Sequence, residues 1–212
     1  MAADAPAQKV IIHGAGGAIG GAVAEEFARH GAELFLAGLH RNSVNATAER
    51  IRAAGTARVH VSEVDASDPL AVDAHTNAVV DEAGRIDVLL NAVSLPLVQG
   101  TPLLDMSVED VTAPAAAWLR TQFITARAAA AQMVPRGSGV ILTLSASPAR
   151  VAIAGVGGFA AACSAVEALT RTFAAELGPL SEVAKAAVFL AHGGADSLNG
   201  SVLNLTAGMS AD

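Results

Sequence analysis

The sequence has 212 residues and a mass of 21.1 kDa, a length that predicts one domain spanning residues 1–212. Hydrophobic residues make up 52% and charged residues 16% of the chain, which excludes an intrinsically disordered protein. The net charge of −7 and the isoelectric point near 5.3 argue against nucleic acid and anionic membrane surfaces as partners.

Several absences restrict the possible chemistry. The chain contains no tyrosine, so no mechanism that needs a phenolic hydroxyl can operate. Its single cysteine, Cys163, excludes an internal disulfide and a multi-cysteine zinc site. We expect no metal site, because His60, Asp65 and His75 have no recognisable ligand spacing. The sequence shows no secretory signal and no apolar run near the roughly 18 residues of a membrane span, so we expect a cytoplasmic protein.

Short apolar runs alternate with helical patterns along the chain. The predicted strands are Val10–Ile12, Leu34–Ala37, Val59–Val64, Ile86–Asn91, Val140–Leu144 and Val202–Leu205. The predicted helices are Gly21–His30, Asn45–Ala54, Pro69–Ala83, Trp118–Val134, Phe159–Leu177 and Glu182–Ala191, together with a helix that Ser107 caps and Pro114 interrupts. The alternation predicts an α/β fold with a doubly wound parallel sheet, in which ligands bind at the carboxyl ends of the strands.

Four glycines lie between the first predicted strand and the first predicted helix, at Gly14, Gly16, Gly17 and Gly20. Glycines let the backbone approach a pyrophosphate closely, and a helix N-terminus offers free N–H groups and the positive end of its dipole. An ordinary tight turn is the alternative explanation. Because this loop belongs to the first βα unit of an alternating chain, the pattern favours nucleotide binding.

The sequence resembles the short-chain dehydrogenase/reductase (SDR) family over nearly its whole length. The family's first motif is Thr-Gly-three residues-Gly-any residue-Gly, and His13, Gly14, Ala18 and Gly20 stand in its fixed places here. Only the threonine is replaced by a very different residue. The resemblance implies a Rossmann fold of short-chain dehydrogenase type. It also implies an oxidoreductase that binds a nicotinamide dinucleotide and a small molecule that the sequence does not identify.

Further motifs extend this resemblance. Asp65 matches the acid that contacts adenine in the family, and Asn91 is the one asparagine retained from the strand-four motif. The segments Glu182–Leu190 and Gly200–Leu205 resemble the family's last helix and strand. The cofactor-binding residues that the resemblance implies, Arg41 apart, are Gly14, Gly16, Gly17, Ala18, Ile19, Gly20, Val64, Asp65, Asn91 and Ala92.

The positions of the family's catalytic residues hold different side chains in this sequence. The family uses a Tyr, a Lys four residues later, a Ser and a helix Asn. When the pattern is aligned from Gly139 onward, the Tyr falls on Phe159, the Lys on Cys163 and the Ser on Ala146, while the Asn falls on Trp118. General acid–base catalysis is worth 10²–10⁴-fold, about 3–5 kcal/mol of barrier, so the resemblance implies weak or unusual activity.

Two interpretations of the function therefore stay open. One is an oxidoreductase of this family with a degenerate site, and the alternative is a non-catalytic nucleotide-binding or scaffold protein. Lysine occurs only at Lys9, before the first strand, and at Lys185, in the last predicted helix, so neither easily replaces the family's lysine.

Other residues offer substitutes for the missing groups, each with a structural alternative. Ser145 or Ser147 could orient a carbonyl, or could be strand-end hydroxyls that bond to the backbone. Cys163 could be a nucleophile, although a lone cysteine on an alanine-rich helix is more often a small buried hydrophobe. His13 could pair with a phosphate or pack at the end of its strand.

The residues after the second strand bear on the choice of cofactor. A carboxylate there would favour NAD by binding the adenosine ribose, but the stretch Ala37–Arg41 has no acid. Arg41, with His40, could pair with a 2′-phosphate, and a solvated basic loop is the alternative. The sequence therefore favours NADP over NAD.

One strand of the alternating pattern is missing near residues 178–182. The predicted helices Phe159–Leu177 and Glu182–Ala191 follow each other directly, where the family has a strand and a substrate-covering loop. A sheet without a central strand would leave backbone groups unpaired, so omission of residues is favoured over a true deletion. The resemblance also implies a homodimer or homotetramer formed through the helices Trp118–Val134 and Phe159–Leu177.

Overall fold

The computed structural model describes residues 6–55, 57–94 and 96–177. Its strands are β1 (Lys9–His13), β2 (Glu33–Gly38), β3 (Val59–Glu63), β4 (Val88–Asn91) and β5 (Val140–Thr143). Its helices are α1 (Ala18–Arg29), α2 (Arg41–Ala54), α3 (Pro69–Ala83), α4 (Val108–Met133) and α5 (Gly157–Leu177). The alternating α/β architecture is confirmed. The predicted helix Glu182–Ala191, the predicted strand Val202–Leu205 and the missing segment near 178–182 lie outside the described residues.

The described residues form five parallel strands in the order β3-β2-β1-β4-β5. The chain moves outward from β1 through β2 to β3 and then returns to place β4 on the other side of β1. The strand order therefore reverses between β1 and β4. In doubly wound sheets a crevice opens at this switch point, outside the carboxyl ends of the strands.

Helices cover both faces of the sheet. On one face α1 and α2 pack on strand residues that include Val10 and Ile12, both fully buried. On the opposite face α3 and α4 pack on Ile11 and Leu89, which are equally buried. Because successive strand residues point to opposite faces, runs such as Val10-Ile11-Ile12 are continuous in sequence and serve both cores.

A charged network closes the amino edge of the sheet, opposite the crevice. Lys9 at the start of β1 forms an ion pair with Glu33 at the start of β2. The imidazole of His60 lies 3.0 Å from a carboxylate oxygen of Glu33 through Nε2 and 3.0 Å from one of Glu82 through Nδ1. The hydrogen bond from Lys9 lowers the pKa of the Glu33 carboxyl, which keeps this buried acid ionised.

Three helices begin earlier than the sequence pattern predicts. The first helix starts at Ala18 rather than Gly21, the second at Arg41 rather than Asn45, and the last described one at Gly157 rather than Phe159. The predictions followed the apolar periodicity, which begins only after the first turn of each helix. The shift matters for the site, because Ala18 and Arg41 become the first residues of helices that face the crevice.

The prediction that Pro114 interrupts its helix is wrong, whereas the Ser107 cap is confirmed. The Ser107 hydroxyl accepts a bond from the Asp110 N–H at 3.1 Å, and α4 then continues through Pro114 to Met133. Proline cannot donate to the carbonyl four residues earlier, which is that of Asp110. Gly158 of α5 packs against this same carbonyl, since a Cβ on Gly158 would lie 2.3 Å from it. The helix is thus continuous at the proline, and the carbonyl that the proline leaves without a donor lies against α5.

The long helices α4 and α5 pack side by side. Phe123 of α4 and Phe173 of α5 have ring centroids 6.1 Å apart, and Phe123 is 45% exposed. Assembly through these two helices stays a prediction. No helix in the described ranges is long and apolar enough to cross a membrane.

Candidate functional site

The glycine loop lies at the switch point between β1 and β4. Gly14 has φ +76°, and a Cβ there would lie 2.5 Å from the carbonyl oxygen of Ala92. A Cβ on Gly20 would lie 2.4 Å from the carbonyl oxygen of Gly14. These contacts require glycine, because they bring backbone against backbone where any side chain would collide. The cradle fits the pyrophosphate of a dinucleotide.

The N-terminus of α1 opens onto this loop. Its N-cap residue is Gly17, whose missing side chain leaves the first N–H groups without a side-chain cap. The first turn carries no acidic residue, and both Ala18 and Ile19 are exposed. Free donors at the positive end of a helix dipole favour an anionic ligand.

The end of β2 combines a cation with a carboxylate that the sequence analysis did not identify. Arg41 is the first residue of α2, and its backbone N–H donates to Glu63 Oε2 at 3.3 Å. Glu63 ends β3 directly opposite Gly38 of β2 in the strand register. A Cβ on Gly38 would lie 2.9 Å from Val44, so packing opposes an acid on β2 itself, whereas β3 supplies one. Neighbouring parallel strands end at the same edge of the sheet, and this rule could have indicated that an acid at the end of β3 lies beside the end of β2.

Asp65 and Val64 follow β3 at the same edge. The Asp65 carboxylate accepts two bonds at Oδ1, one from the Ser67 N–H at 2.8 Å and one from the Ser67 hydroxyl at 2.7 Å. These bonds lower the pKa of Asp65, so the acid is ionised and held in one orientation. Val64 is buried, with its N–H bonded to the Gly38 carbonyl.

Asn91 ends β4 and is almost completely buried. Its Nδ2 donates to Thr125 Oγ1 at 2.9 Å, and its Oδ1 accepts from the Val93 N–H at 3.0 Å. Both ends of the amide therefore hold the loop after β4 against α4. Ala92, the next residue, contributes the backbone that meets Gly14.

His13 is packed inside the protein. It is 1% exposed, and its ring meets that of His75 edge to face at 5.6 Å between centroids. Neither ring nitrogen of His13 has a hydrogen-bond partner among the described residues. Burial lowers the pKa of His13 to about 3, with a contribution from His75, and burial lowers the pKa of His75 to about 4. His13 is therefore a neutral, buried side chain that packs directly before the glycine loop.

The four positions that the sequence analysis aligned with the family's catalytic residues come together beside β5. They belong to a cluster that we call the apolar floor, formed by Trp118, Ala162, Cys163 and Val166 with Ala115, Ala146, Ala149 and Phe159 packed against it. The indole of Trp118 stacks on the ring of Phe159 at 5.9 Å and 27°. Trp118 is 9% exposed and Cys163 is fully buried. Burial raises the pKa of the Cys163 thiol, so this cysteine is a neutral core residue.

The polar groups beside the apolar floor bond to one another. The Ser145 hydroxyl donates to Glu167 Oε1 at 3.0 Å, and Arg150 Nε donates to Glu167 Oε2 at 3.1 Å. The Ser145 hydroxyl therefore bonds to a carboxylate of α5 rather than to the backbone. Ser147 begins a short 3-10 turn, Ser147–Ala149. Sequence reasoning missed Glu167, whose helical spacing from Cys163 was the only available signal.

The lysine at the start of β1 lies away from the site. Lys9 is committed to the ion pair at the amino edge, while Lys185 lies outside the described residues. Among the described residues, no group of three or more His, Cys, Asp and Glu side chains is arranged to hold a metal ion. A groove of about 630 Å³ opens between α4, β5 and α5, lined by apolar residues such as Met133 and Phe173. None of its lining residues belongs to the glycine loop.

The glycine cradle predicts a steric penalty that conformation alone does not explain. Gly14 and Gly31 both have positive φ, +76° and +78°, but no atom lies within 4 Å of a Cβ built on Gly31. Gly31→Ala should cost about 1 kcal/mol of unfolding free energy for the left-handed conformation. Gly14→Ala should cost about 1–3 kcal/mol more because of the clash with Ala92. Urea unfolding of both variants measures the difference in unfolding free energy. Equal losses in the two variants would contradict the close contact between Gly14 and Ala92.

The buried histidine pair predicts acid sensitivity. The folded pKa values of His13 and His75, about 3 and about 4, lie below the ordinary value of 6.5. The unfolded chain therefore binds more protons as the pH falls below 6.5, and stability is lost in that direction. Urea unfolding should show a decrease on the order of 5 kcal/mol between pH 6.5 and 4, with both histidines contributing.

Two variants separate this effect from general acid unfolding. His75→Leu removes one titrating group and should flatten the decrease between pH 6.5 and 5, before the carboxyl groups titrate. The control is His30→Asn, because the His30 side chain is 72% exposed and should not affect the slope. A slope unchanged in His75→Leu would refute the role of the pair.

Comparison with known proteins agrees with this geometry. The family model described as short chain dehydrogenase matches residues 8–190. Gluconate 5-dehydrogenase of Gluconobacter oxydans is 28% identical over 170 residues, which cover 80% of this chain and 65% of that protein. The short-chain reductase protein NovJ of Streptomyces niveus is 35% identical over 174 residues, covering 80% of this chain and 63% of that one. The match thus spans less than two thirds of each of these relatives.

A solved structure extends the similarity to three dimensions. The crystal structure of levodione reductase superposes with a TM-score of 0.75 at 28% identity, covering 81% of this chain and 66% of that protein. Strand order, glycine loop and sequence similarity lead to the same conclusion. This chain belongs to the short-chain dehydrogenase/reductase family, whose members are oxidoreductases that use nicotinamide dinucleotides.

Proposed function

We propose that this chain binds a nicotinamide dinucleotide at the carboxyl edge of its sheet and does not transfer hydride efficiently by the family's route. The observation that best supports binding is the close approach of Gly14 to the backbone of Ala92, beside the uncapped N-terminus of α1. This arrangement accommodates a pyrophosphate and gives it unpaired N–H donors. Asp65, ionised and fixed by Ser67, supports the expected contact with adenine.

The loss of efficient catalysis rests on the apolar floor. Phe159 offers no hydroxyl to give or take a proton, and Cys163 is a buried neutral thiol where the family has a lysine. Ala146 cannot orient a substrate oxygen. The non-catalytic nucleotide-binding alternative has the same support, so turnover is the property that separates the two interpretations.

The preference between NADP and NAD depends on two opposed groups. The exposed side chain of Arg41 favours the 2′-phosphate of NADP. The Glu63 carboxylate beside the N-terminus of α2 repels that phosphate and could accept bonds from the ribose hydroxyls of NAD. We propose NADP(H) as the favoured cofactor, with Glu63 limiting the preference.

Calorimetric titration of the whole chain with NADPH and NADH tests the site. Micromolar binding is expected, tighter for NADPH. Arg41→Ala should weaken NADPH about tenfold and leave NADH unchanged, because it removes one charged partner of the 2′-phosphate. Glu63→Gln should tighten NADPH by a similar factor. An unchanged ratio of affinities in Arg41→Ala would refute the assignment, and absence of binding to either cofactor would reduce the glycine loop to a structural turn.

Turnover is tested by restoring the family's residues. Gluconate and a panel of sugar alcohols, chosen for the similarity to gluconate 5-dehydrogenase, are assayed with NADP⁺ and NAD⁺. We expect little reduction of the cofactor by the natural chain and an increase on the order of 10²-fold or more in the double variant Phe159→Tyr, Cys163→Lys. Circular dichroism checks that the variant folds, and Phe159→Tyr alone is the control. A natural chain as active as the variant would contradict the proposal.

A further inference from the structure

The two halves of the crevice differ in polarity. On the side of β1, β2 and β3 lie the glycine loop, the N-termini of α1 and α2 and the ionised Asp65. On the side of β5 lies the apolar floor. A dinucleotide spans such a crevice with one nucleotide on each half of the sheet. Among the residues that the structure describes, the adenosine half therefore meets polar groups, while the nicotinamide half meets a mainly apolar surface.

The apolar floor offers little to a nicotinamide riboside. That group carries two ribose hydroxyls and a carboxamide, and all of these need hydrogen-bond partners when water is excluded. Trp118 and Phe159 stack on each other, and the Cys163 thiol is fully buried beneath them. Trp118 Nε1 is buried without a hydrogen-bond partner among the described residues, so the floor holds one unpaired donor for a ligand that carries several polar groups. Of the nearby polar side chains, Ser145 and Arg150 both bond to Glu167.

The consequence for affinity follows from the chemistry of unpaired groups. Each polar group of the ligand that loses water without gaining a partner lowers affinity by roughly tenfold. A bound dinucleotide therefore gains most by leaving its nicotinamide in water. Within the described part of the chain, the residues fit the adenosine diphosphate part of the cofactor and offer too few hydrogen-bond partners for the remainder.

We infer that the ligand class of this site is adenosine 5′-diphosphate and its esters, with nicotinamide contributing nothing to affinity. This inference rests on the proposed function, because it places the ligand in the same crevice. It extends that function by making ADP-ribose as good a ligand as NADH. The chain then responds to the pool of ADP-containing compounds rather than to the redox state of the cofactor.

Calorimetric titration of the whole chain with NADH, ADP-ribose and ADP tests the inference. We expect dissociation constants for NADH and ADP-ribose that agree within about threefold. NADH binding more than tenfold tighter than ADP-ribose would overturn the inference and leave the proposed dinucleotide site intact. Failure of all three ligands to bind would refute the proposed function, and the inference with it.

Two variants test where the ligand contacts the protein. Phe159→Leu keeps the floor apolar while breaking the stack on Trp118, and it should leave the affinities for NADH and ADP-ribose equal. Asp65→Asn, on the adenosine side, should weaken both ligands by the same factor. Thermal melts monitored by circular dichroism establish that each variant is folded. Selective weakening of NADH in Phe159→Leu would place the nicotinamide on the floor and overturn the inference.

Discussion

The contact between the backbones at Gly14 and Ala92 is the constraint on which the rest of the structure depends. It joins the ends of two strands that are neighbours in the sheet but lie far apart in the chain, with β2 and β3 formed in between. A side chain at Gly14 would force β1 and β4 apart at their carboxyl ends. Because both halves of the crevice begin at this contact, it determines where a ligand can enter and how close it comes to the α1 dipole.

The residues that pack the sheet are different from those aligned with the family's catalytic positions. Packing on the two faces of the sheet involves residues such as Ile12 and Leu89 and does not involve the family's catalytic positions. Where the family has tyrosine and lysine, this chain has Phe159 and Cys163, which join a hydrophobic cluster of their own. Replacing a buried polar network by apolar residues is often neutral or favourable for stability, so apolar side chains at these positions need not weaken the fold.

Local signals predicted some elements closely and others poorly. The helix Pro69–Ala83 agrees with prediction at both ends, because Asp68 caps it, Pro69 begins it and Gly84 ends it with φ +77°. Pro114 misled the prediction, because α4 continues through it and the carbonyl of Asp110 lies against Gly158 of another helix.

The candidate site likewise has parts that the sequence predicted and parts that it did not. The glycine loop was predictable because its parts are contiguous, and the family pattern located the positions that meet in the apolar floor. The role of Glu63 was not predictable, because it depends on strand register and on the space that Val44 occupies above Gly38. Contacts that join separate elements carry little signature in a single sequence.

Trp118 has a spectroscopic consequence. It is the chain's single tryptophan, and its indole lies almost entirely out of water against Phe159. Ultraviolet emission excited at the red edge of protein absorption therefore arises from one ring in one place. Its wavelength and intensity report the dielectric surroundings of the apolar floor, which therefore contains an intrinsic fluorophore.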